Sequence, residues 1–456
     1  VAARSNPSPS TAAPGARTTL PAGRLEQKIP DGKPVYLDGE AVAEANRCLY
    51  CHDAPCVTAC PTGIDIPGFI RKIGTGNVRG SARVILSANL LGYSCARVCP
   101  VEVLCVGACV YNQWHRAPIQ IGRLQRYAVE TVFDRDRADA LFAKAPATGK
   151  KVACVGAGPA SLAAAGYLAL EGVAVTLFEK RPLAGGLNTT GVAPYKMDAA
   201  SSLREVEFIS ALGVEVRSGI EVGRDIEPAA LLRDYDAVFI GVGLGDDGKL
   251  GIPGEDGPGV GGAVAWIERM KLEPGFAPGS AKRALVVGGG NTAIDAAREL
   301  ARLGVPDVAM VYRRTGAEMP GYAHEMDAAR REGVRLIERA VPKAFARGAG
   351  GALTALALQD GRELPADLVL IAIGQERMRG LISKFPGVEM DERGLVVADA
   401  KTGRTGNPRV FAGGDAVSGG QVVVNAAQEG KRAARAICAL LGVRVRAGAA
   451  MMAGHI

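Results

Sequence analysis

The chain has no apolar run long enough to cross a membrane as a helix, which takes about 18 or more residues. Residues 1–24 are rich in Ser, Pro, Ala and Gly and lack the apolar core of a secretion signal. They read as the bulk of a disordered tail over 1–30, and a second small-residue tail is expected over 446–456. Histidine is scarce: His52, His115, His324 and His455 form neither a metal-ligand nor a triad spacing. None is assigned a catalytic role, and His52 reads as a spacer between cysteines. The net charge of +7 over 456 residues is modest. It suits anionic nucleotides or an acidic partner surface and makes no case for nucleic acid. The 60 glycines follow no collagen period, so they should sit in turns and phosphate loops. With 48% hydrophobic and 22% charged residues, the composition is that of a soluble, multidomain globular protein.

Cysteine is what the chain has in one place. Of 10 cysteines, eight fall between Cys48 and Cys109, as Cys48-x2-Cys51-x4-Cys56-x3-Cys60-Pro and Cys95-x3-Cys99-Pro followed by Cys105-x3-Cys109. Thiolates suit zinc or iron–sulfur clusters, and a Cys-Pro ending is typical of ferredoxin-like runs. Structural zinc and redox disulfides are the alternatives. The redox units that follow favour iron, because zinc carries no electrons. They also suggest an intracellular, cytoplasmic enzyme, a setting that favours metal ligation over disulfides. Helical periodicity is expected over Asp65–Ile73, Arg79–Ala88 and Leu124–Phe133, and 136–150 reads as a linker.

At Lys151 the pattern changes to strand, glycine turn, helix and strand. The turn is Gly156-Ala157-Gly158-Pro159-Ala160-Ser161, and Glu179-Lys180 ends the second strand about twenty residues on, where a carboxylate can bind ribose hydroxyls. A second unit, Gly288-Gly289-Gly290-Asn291-Thr292-Ala293, ends its second strand in Arg313-Arg314. A guanidinium there can pair with a 2′-phosphate, favouring NADPH and leaving NADH open. A closing block, from about Arg409, reads as strand, loop and a helix over Val424–Leu441. Two units imply two dinucleotides, and the closing block implies that the second unit is inserted in the first. Cys154 and Cys438 read as core residues. No cysteine accompanies GGLNTT, so no dithiol stands beside that segment in the sequence.

The segments RCLYCHDAPCVTACPTGIDIPGFI, LGYSCARVCPVEVLCVGAC and APIQIGRLQRYA resemble the N-terminal iron–sulfur domain of dihydropyrimidine dehydrogenases, which the glutamate synthase small subunit shares. The resemblance runs from about residue 40 to 442. It implies one [4Fe–4S] cluster on Cys48, Cys51, Cys56 and Cys109, and a second on Cys60, Cys99, Cys105 and Gln125, with Cys95 left over. The glutamine matches the pyrimidine enzymes; glutamate synthases tend to carry an acid there. Resemblance to two-dinucleotide flavoproteins implies FAD at Gly185-Gly186-Leu187 and at Gly414-Asp415, with Lys196 a basic residue near the flavin. The IAIGQ segment, 371–375, resembles their return crossing between domains.

The expected fold class is therefore α/β: a helical iron–sulfur domain (31–147), then an FAD domain in two parts (148–248 and 371–445) with an NAD(P) domain (249–370) inserted. The expected activity is hydride transfer from NAD(P)H to FAD, with single electrons leaving through the clusters and no side-chain nucleophile. The resemblance implies a partner subunit carrying FMN and iron–sulfur clusters that reduces uracil or thymine. A glutamate synthase small subunit and a stand-alone electron carrier are the alternatives.

Overall fold

The computed structural model describes residues 20–135, 138–277 and 279–446. The tails expected at 1–19 and 447–456, and His455, lie outside the described residues.

Six helices form the N-terminal domain: α1 Asp38–Asn46, α2 Pro55–Thr58, α3 Ile66–Gly74, α4 Val78–Ala88, α5 Gly92–Val98 and α6 Ile121–Arg135. Asp65 and Asn77 cap α3 and α4 by accepting from the Gly68 and Gly80 amides at 2.9 and 2.7 Å. The three stretches read as helical from periodicity are α3, α4 and α6, the last longer at both ends.

The first dinucleotide domain is a parallel sheet of β1 Lys151–Val155, β2 Ala174–Glu179, β3 Val214–Ser218, β4 Ala237–Ile240 and β13 Val410–Ala412, in the order β13-β4-β1-β2-β3. Helices α7 Pro159–Leu170, α8 Leu187–Thr190, α9 Ala199–Ala211 and α10 Pro228–Asp234 follow its strands. The second domain lies in sequence between β4 and β13. Its parallel sheet runs β5-β12-β6-β7-β8, with β5 Val260–Gly262, β6 Arg283–Val287, β7 Asp307–Val311, β8 Arg335–Ile337 and β12 Leu368–Ile371. An antiparallel layer of β9 Pro342–Arg347, β10 Leu353–Leu358 and β11 Glu363–Pro365 completes it, with helices α11 Ala263–Leu272, α12 Asn291–Arg302 and α13 Ala323–Arg331. The chain then returns through α14 Arg379–Ile382, β13, α15 Asp415–Ser418 and α16 Val423–Leu440. Because β13 pairs with β4, the closing segment completes the first sheet. That pairing makes the second domain an insertion.

The N-terminal helical domain and the first dinucleotide domain share one hydrophobic core, which runs from Ala41 through Phe69, Leu90 and Leu168 to Ile437. The inserted domain packs around separate cores. Helix α7 is buried along nearly its whole length, which explains its run of Ala, Gly and Leu. Tyr167 of α7 and Lys431 of α16 both donate to the Ala88 carbonyl at the end of α4, at 3.0 and 2.6 Å.

Two expectations need correction. Residues 20–30, placed in the tail, include the turn Leu25–Lys28, in which Leu25 and Glu26 are buried. Leu25 packs with Ile267, Met270 and Phe276 of the inserted domain, while Glu26 accepts from the Ala199 amide of the first at 3.0 Å. The linker is packed at its described start: Leu141 and Phe142 are buried, and the Phe142 and Phe208 ring centres lie 5.9 Å apart. Local composition hid both contacts, since their partners lie far away in sequence.

Candidate functional site

The first fingerprint closes the turn between β1 and α7. Gly156 has φ +83°, and a Cβ there would sit 2.8 Å from the Gly241 carbonyl oxygen, so the position admits glycine alone. Gly158 is the N-cap of α7, Pro159 opens the helix, and the free helix amides face the space where a pyrophosphate would lie. Glu179 accepts from the Ala157 amide at 2.8 Å and from the Arg181 amide at 2.9 Å. It braces the loop and still lines the cavity beside Lys180. The Ser161 hydroxyl is fully buried with no partner, packed where the crossing Gly241 has no side chain.

A cavity of about 800 Å³ begins at this loop, at the upper end for ligand sites. Gly156, Gly158, Gly186, Leu187, Gly414 and Asp415 line it. Gly185 stands behind, donating to the Ala157 carbonyl at 2.8 Å. Asp415 accepts from the Gln421 amide at 2.9 Å, and burial raises its pKa above the ordinary carboxylate value. Glycines where the walls come closest, a helix N-terminus and a carboxylate form a cradle that fits FAD.

The same cavity reaches the inserted domain at Asn291 and Thr292. Gly288 has φ +149°, and a Cβ there would collide with the Ala372 carbonyl; Gly290 is the N-cap of α12, and Ala293 is buried behind the loop. The return segment 372–376 runs beside 245–248, with the Gly245 and Gly248 amides donating to Glu376 and Gly374 at 2.8 Å each. Arg313 and Arg314 are exposed just past the end of β7 and are not among the cavity's lining residues. Lys196 pairs with Asp295 at 2.8 Å and Glu325 at 2.9 Å. Burial works against its charge, but the two carboxylates outweigh it and raise its pKa. Tyr322 lines the cavity too, its amide donating to the Asn291 side chain at 2.9 Å.

Cys99 and Pro100 form the wall of this cavity on the iron–sulfur side. Cys99 is a near neighbour of Cys95, Cys105 and Cys60. Its thiol pKa is pushed well up by the hydrogen bond with Cys95, then by burial. Burial and the nearby Cys60 push Cys105 up to about 12. A second, apolar cavity is lined by Cys48, Cys51, Cys56 and Cys109; burial, then Cys48 and Cys109, push Cys56 up to about 11. The thiols thus gather into two groups, and Cys56 and Cys105 are near enough to interact. Buried thiols crowded together give up their protons to a bound cation, so each thiol group suits a metal centre. Among the described residues, no three His, Cys, Asp or Glu side chains stand close enough to share a single ion. Gln125 is buried on α6 and donates through Nε2 to the Gly92 carbonyl at 2.9 Å. Cys95 is buried and accepts from Asn89 at 3.2 Å. Cys154 and Cys438 are buried in the core, apart from the cavities.

Asn188, Asp295, Tyr322 and Glu325 were not anticipated from sequence. Asp295 and Glu325 gain their place from Lys196 of the other domain, Asn188 from Ser94, and Tyr322 from Asn291, so spacing within one motif does not mark them. His324, also unassigned, pairs with Glu102 at 3.3 Å.

Residues 26–137 match the family described as dihydropyrimidine dehydrogenase domain II, 4Fe–4S cluster, and residues 150–430 match the pyridine nucleotide-disulphide oxidoreductases. The chain is 34% identical over 438 residues to the glutamate synthase [NADPH] small chain of Escherichia coli, covering 88% of this chain and 92% of that one. It is 35% identical over 415 residues to the NAD-dependent dihydropyrimidine dehydrogenase subunit PreT of Salmonella typhimurium, covering 91% and 96%. It spans 66% of the putative oxidoreductase AegA of E. coli, at 34% identity over 89% of this chain. The solved thioredoxin reductase of T. acidophilum shares the fold at a TM-score of 0.53 and 24% identity, covering 64% of this chain and 99% of that one.

Proposed function

Because the chain belongs to the pyridine nucleotide-disulphide oxidoreductase family and carries a dihydropyrimidine-dehydrogenase-type 4Fe–4S domain, we propose that it is the electron-input subunit of a two-component reductase. It takes hydride from NAD(P)H and delivers electrons through FAD and two [4Fe–4S] clusters to a separate acceptor subunit. The observation that carries this reading is the shared cavity: one space touches the first fingerprint, Asn291 and Thr292 of the second, and Cys99.

FAD supplies the coupling of two-electron hydride chemistry to one-electron carriers. The residues do the positioning. Gly156, Ala157, Gly158 and the start of α7 hold the pyrophosphate, Glu179 takes the adenosine ribose, and Asp415 takes the ribityl–phosphate part. Gly288, Gly290, Asn291, Thr292 and Ala293 hold the nicotinamide dinucleotide, and Arg313 and Arg314 favour the 2′-phosphate of NADPH. Lys196, held charged by Asp295 and Glu325, is the basic group at the flavin. Cys48, Cys51, Cys56 and Cys109 hold one cluster. Cys60, Cys99, Cys105 and the carbonyl oxygen of Gln125 hold the other.

The acceptor we propose is an FMN- and iron–sulfur-containing subunit that reduces uracil or thymine. Gln125 in the position of an acid favours this over the second reading, donation to a glutamate synthase large subunit. Anaerobic titration of the loaded chain with NADPH should bleach the flavin and then reduce the two clusters by about one electron each, and the chain should hold about eight iron atoms. Flavin reduction without cluster reduction, or zinc in place of iron, would sink the proposal. Co-purification followed by NAD(P)H oxidation with uracil, or with glutamine plus 2-oxoglutarate, separates the two acceptors.

A further inference from the structure

Glu205 lies on α9 of the first dinucleotide domain, 2% exposed, far in sequence from every fingerprint. Its Oε1 accepts from the amides of Tyr93 at 3.1 Å and Ser94 at 3.0 Å, and its Oε2 from the Ser94 hydroxyl. These are the first free amides of α5, whose other end runs directly into Cys99. The Ser94 hydroxyl oxygen in turn accepts from the Asn188 side-chain amide at 3.0 Å. Asn188 lines the large cavity, and its own Oδ1 is buried without a partner. A single carboxyl therefore joins the flavin wall to the helix that ends at a cysteine of the inner thiol group.

The charged groups around it leave it incompletely compensated. Arg97 of α5 faces it but is already engaged by Glu130 of α6 at 2.5 Å and by Asp31 at 3.8 Å. Arg204, its neighbour on α9, is paired with Asp134 at 2.7 Å. From α5 the phenol of Tyr93 meets both arginines, at 3.1 and 3.4 Å; from α7, Tyr167 is committed to Ala88. Lys271 of α11 spends its ammonium on the carbonyls of Asn188, Val192 and Met197, at 2.8–3.0 Å. Burial raises Glu205 to about 7, against the hydrogen bonds and Arg97 that lower it. The group can thus change charge near neutrality at one end of a short helix whose other end holds Cys99.

We propose that Glu205 is a positioning residue that ties the reduction potential of the Cys60/Cys99/Cys105 cluster to pH. The negative carboxylate disfavours adding an electron about one helix of seven residues, roughly 10 Å, away. Protonation from solvent removes that charge and favours reduction; reoxidation, with the electron passing onward, releases the proton again. At an effective dielectric near 20, a unit charge at that distance changes the reduced-to-oxidised ratio by about tenfold. This inference rests on the cluster assignment of the proposed function and adds to it a group that binds neither iron nor flavin.

The experiment is a potentiometric titration, followed by electron paramagnetic resonance, of the flavin- and cluster-loaded full chain and of its Glu205→Gln variant between pH 6 and pH 8. Iron and acid-labile sulfide are counted first. The wild-type midpoint should fall as pH rises. The variant should lie higher at pH 8, by up to the ~59 mV that a tenfold ratio represents for one electron, and should be flat with pH. Equal slopes in the two proteins overturn the role of Glu205 while leaving the relay standing; a chain that loads no iron overturns both. If the glutamine variant loses its clusters, redox-difference infrared spectra of the wild type and Glu205→Asp decide. A protonated-carboxyl band should appear on reduction and shift in the aspartate variant. No band, or an unshifted one, overturns the proposal.

Discussion

Single glycines set the geometry of each fingerprint loop. Gly156 and Gly288 play the same part in two units, each pressed against a carbonyl of a crossing strand, Gly241 in one and Ala372 in the other. Gly288→Ala should therefore abolish NAD(P)H binding while the flavin, on the other domain, stays bound. The expected record is a normal flavin spectrum, flavin reduction by dithionite, and at least a 100-fold loss of reduction by NADPH. Gly156→Ala should instead give flavin-free protein. Glu205 makes a stability prediction of its own. Its folded pKa, about 7, lies above the ordinary 4.5, so the folded state binds the proton more tightly between those values. Its contribution is most favourable below pH 4.5 and is lost as pH rises to 7. The difference is 7 minus 4.5, or up to about 3 kcal/mol. The melting temperature of the wild type minus that of Glu205→Gln should thus fall by several degrees from pH 5 to pH 8; a constant difference would contradict the burial argument. The glycines were legible in the sequence because strand, turn and helix are contiguous. Glu205 was not, because Tyr93 and Ser94 lie more than a hundred positions away and no local pattern distinguishes a buried glutamate from a solvated one.

At the scale of elements, helices and strands follow sequence periodicity closely, and the junctions between them do not. Helix α16 was expected over Val424–Leu441 and runs Val423–Leu440, since its alternation of small apolar and polar residues is a local signal. The junction made by α11 leaves no such signal. Lys271 sits fully buried in it, with its ammonium donating to three carbonyls on the segment 188–197 of the other dinucleotide domain. Read along the sequence, it is the charged end of an amphipathic helix; in the fold, it fastens the flavin wall to the inserted domain. Lys271→Met would leave those carbonyls without their donor, at a cost of about 3 kcal/mol. Because Asn188 and Val192 line the cavity, the same change should weaken FAD retention about tenfold. Equilibrium dialysis of the flavin and a thermal melt check the two effects. A drop in melting temperature with unchanged flavin affinity would show that the segment keeps its shape without the lysine.

The whole molecule joins two parts that pack around different cores. The cysteine domain and the first dinucleotide domain share one core, so the two thiol groups and the first fingerprint belong to one packed body. The inserted domain has its own cores and meets the rest through the apolar cluster of Leu25 with Ile267, Met270 and Phe276 and through polar contacts such as Lys196–Asp295 and Lys196–Glu325. A hydride donor must come and go, whereas an electron path works best at constant distance, and the partition of cores matches that division. The path also has an order. Cys99 lines the cavity that meets both fingerprints, whereas Cys48, Cys51, Cys56 and Cys109 line a separate one. In the proposed relay the group with Cys99 is therefore the entry and the other group the exit. Cys51→Ala should spare reduction of the flavin and of the inner cluster by NADPH and abolish transfer to the acceptor subunit. Cys99→Ala should stop electrons at the flavin. Stopped-flow absorbance on the loaded variants distinguishes the two cases. Rapid acceptor reduction in the Cys51 variant would mean that electrons leave from the inner group directly, and that the four-cysteine cavity lies off the path.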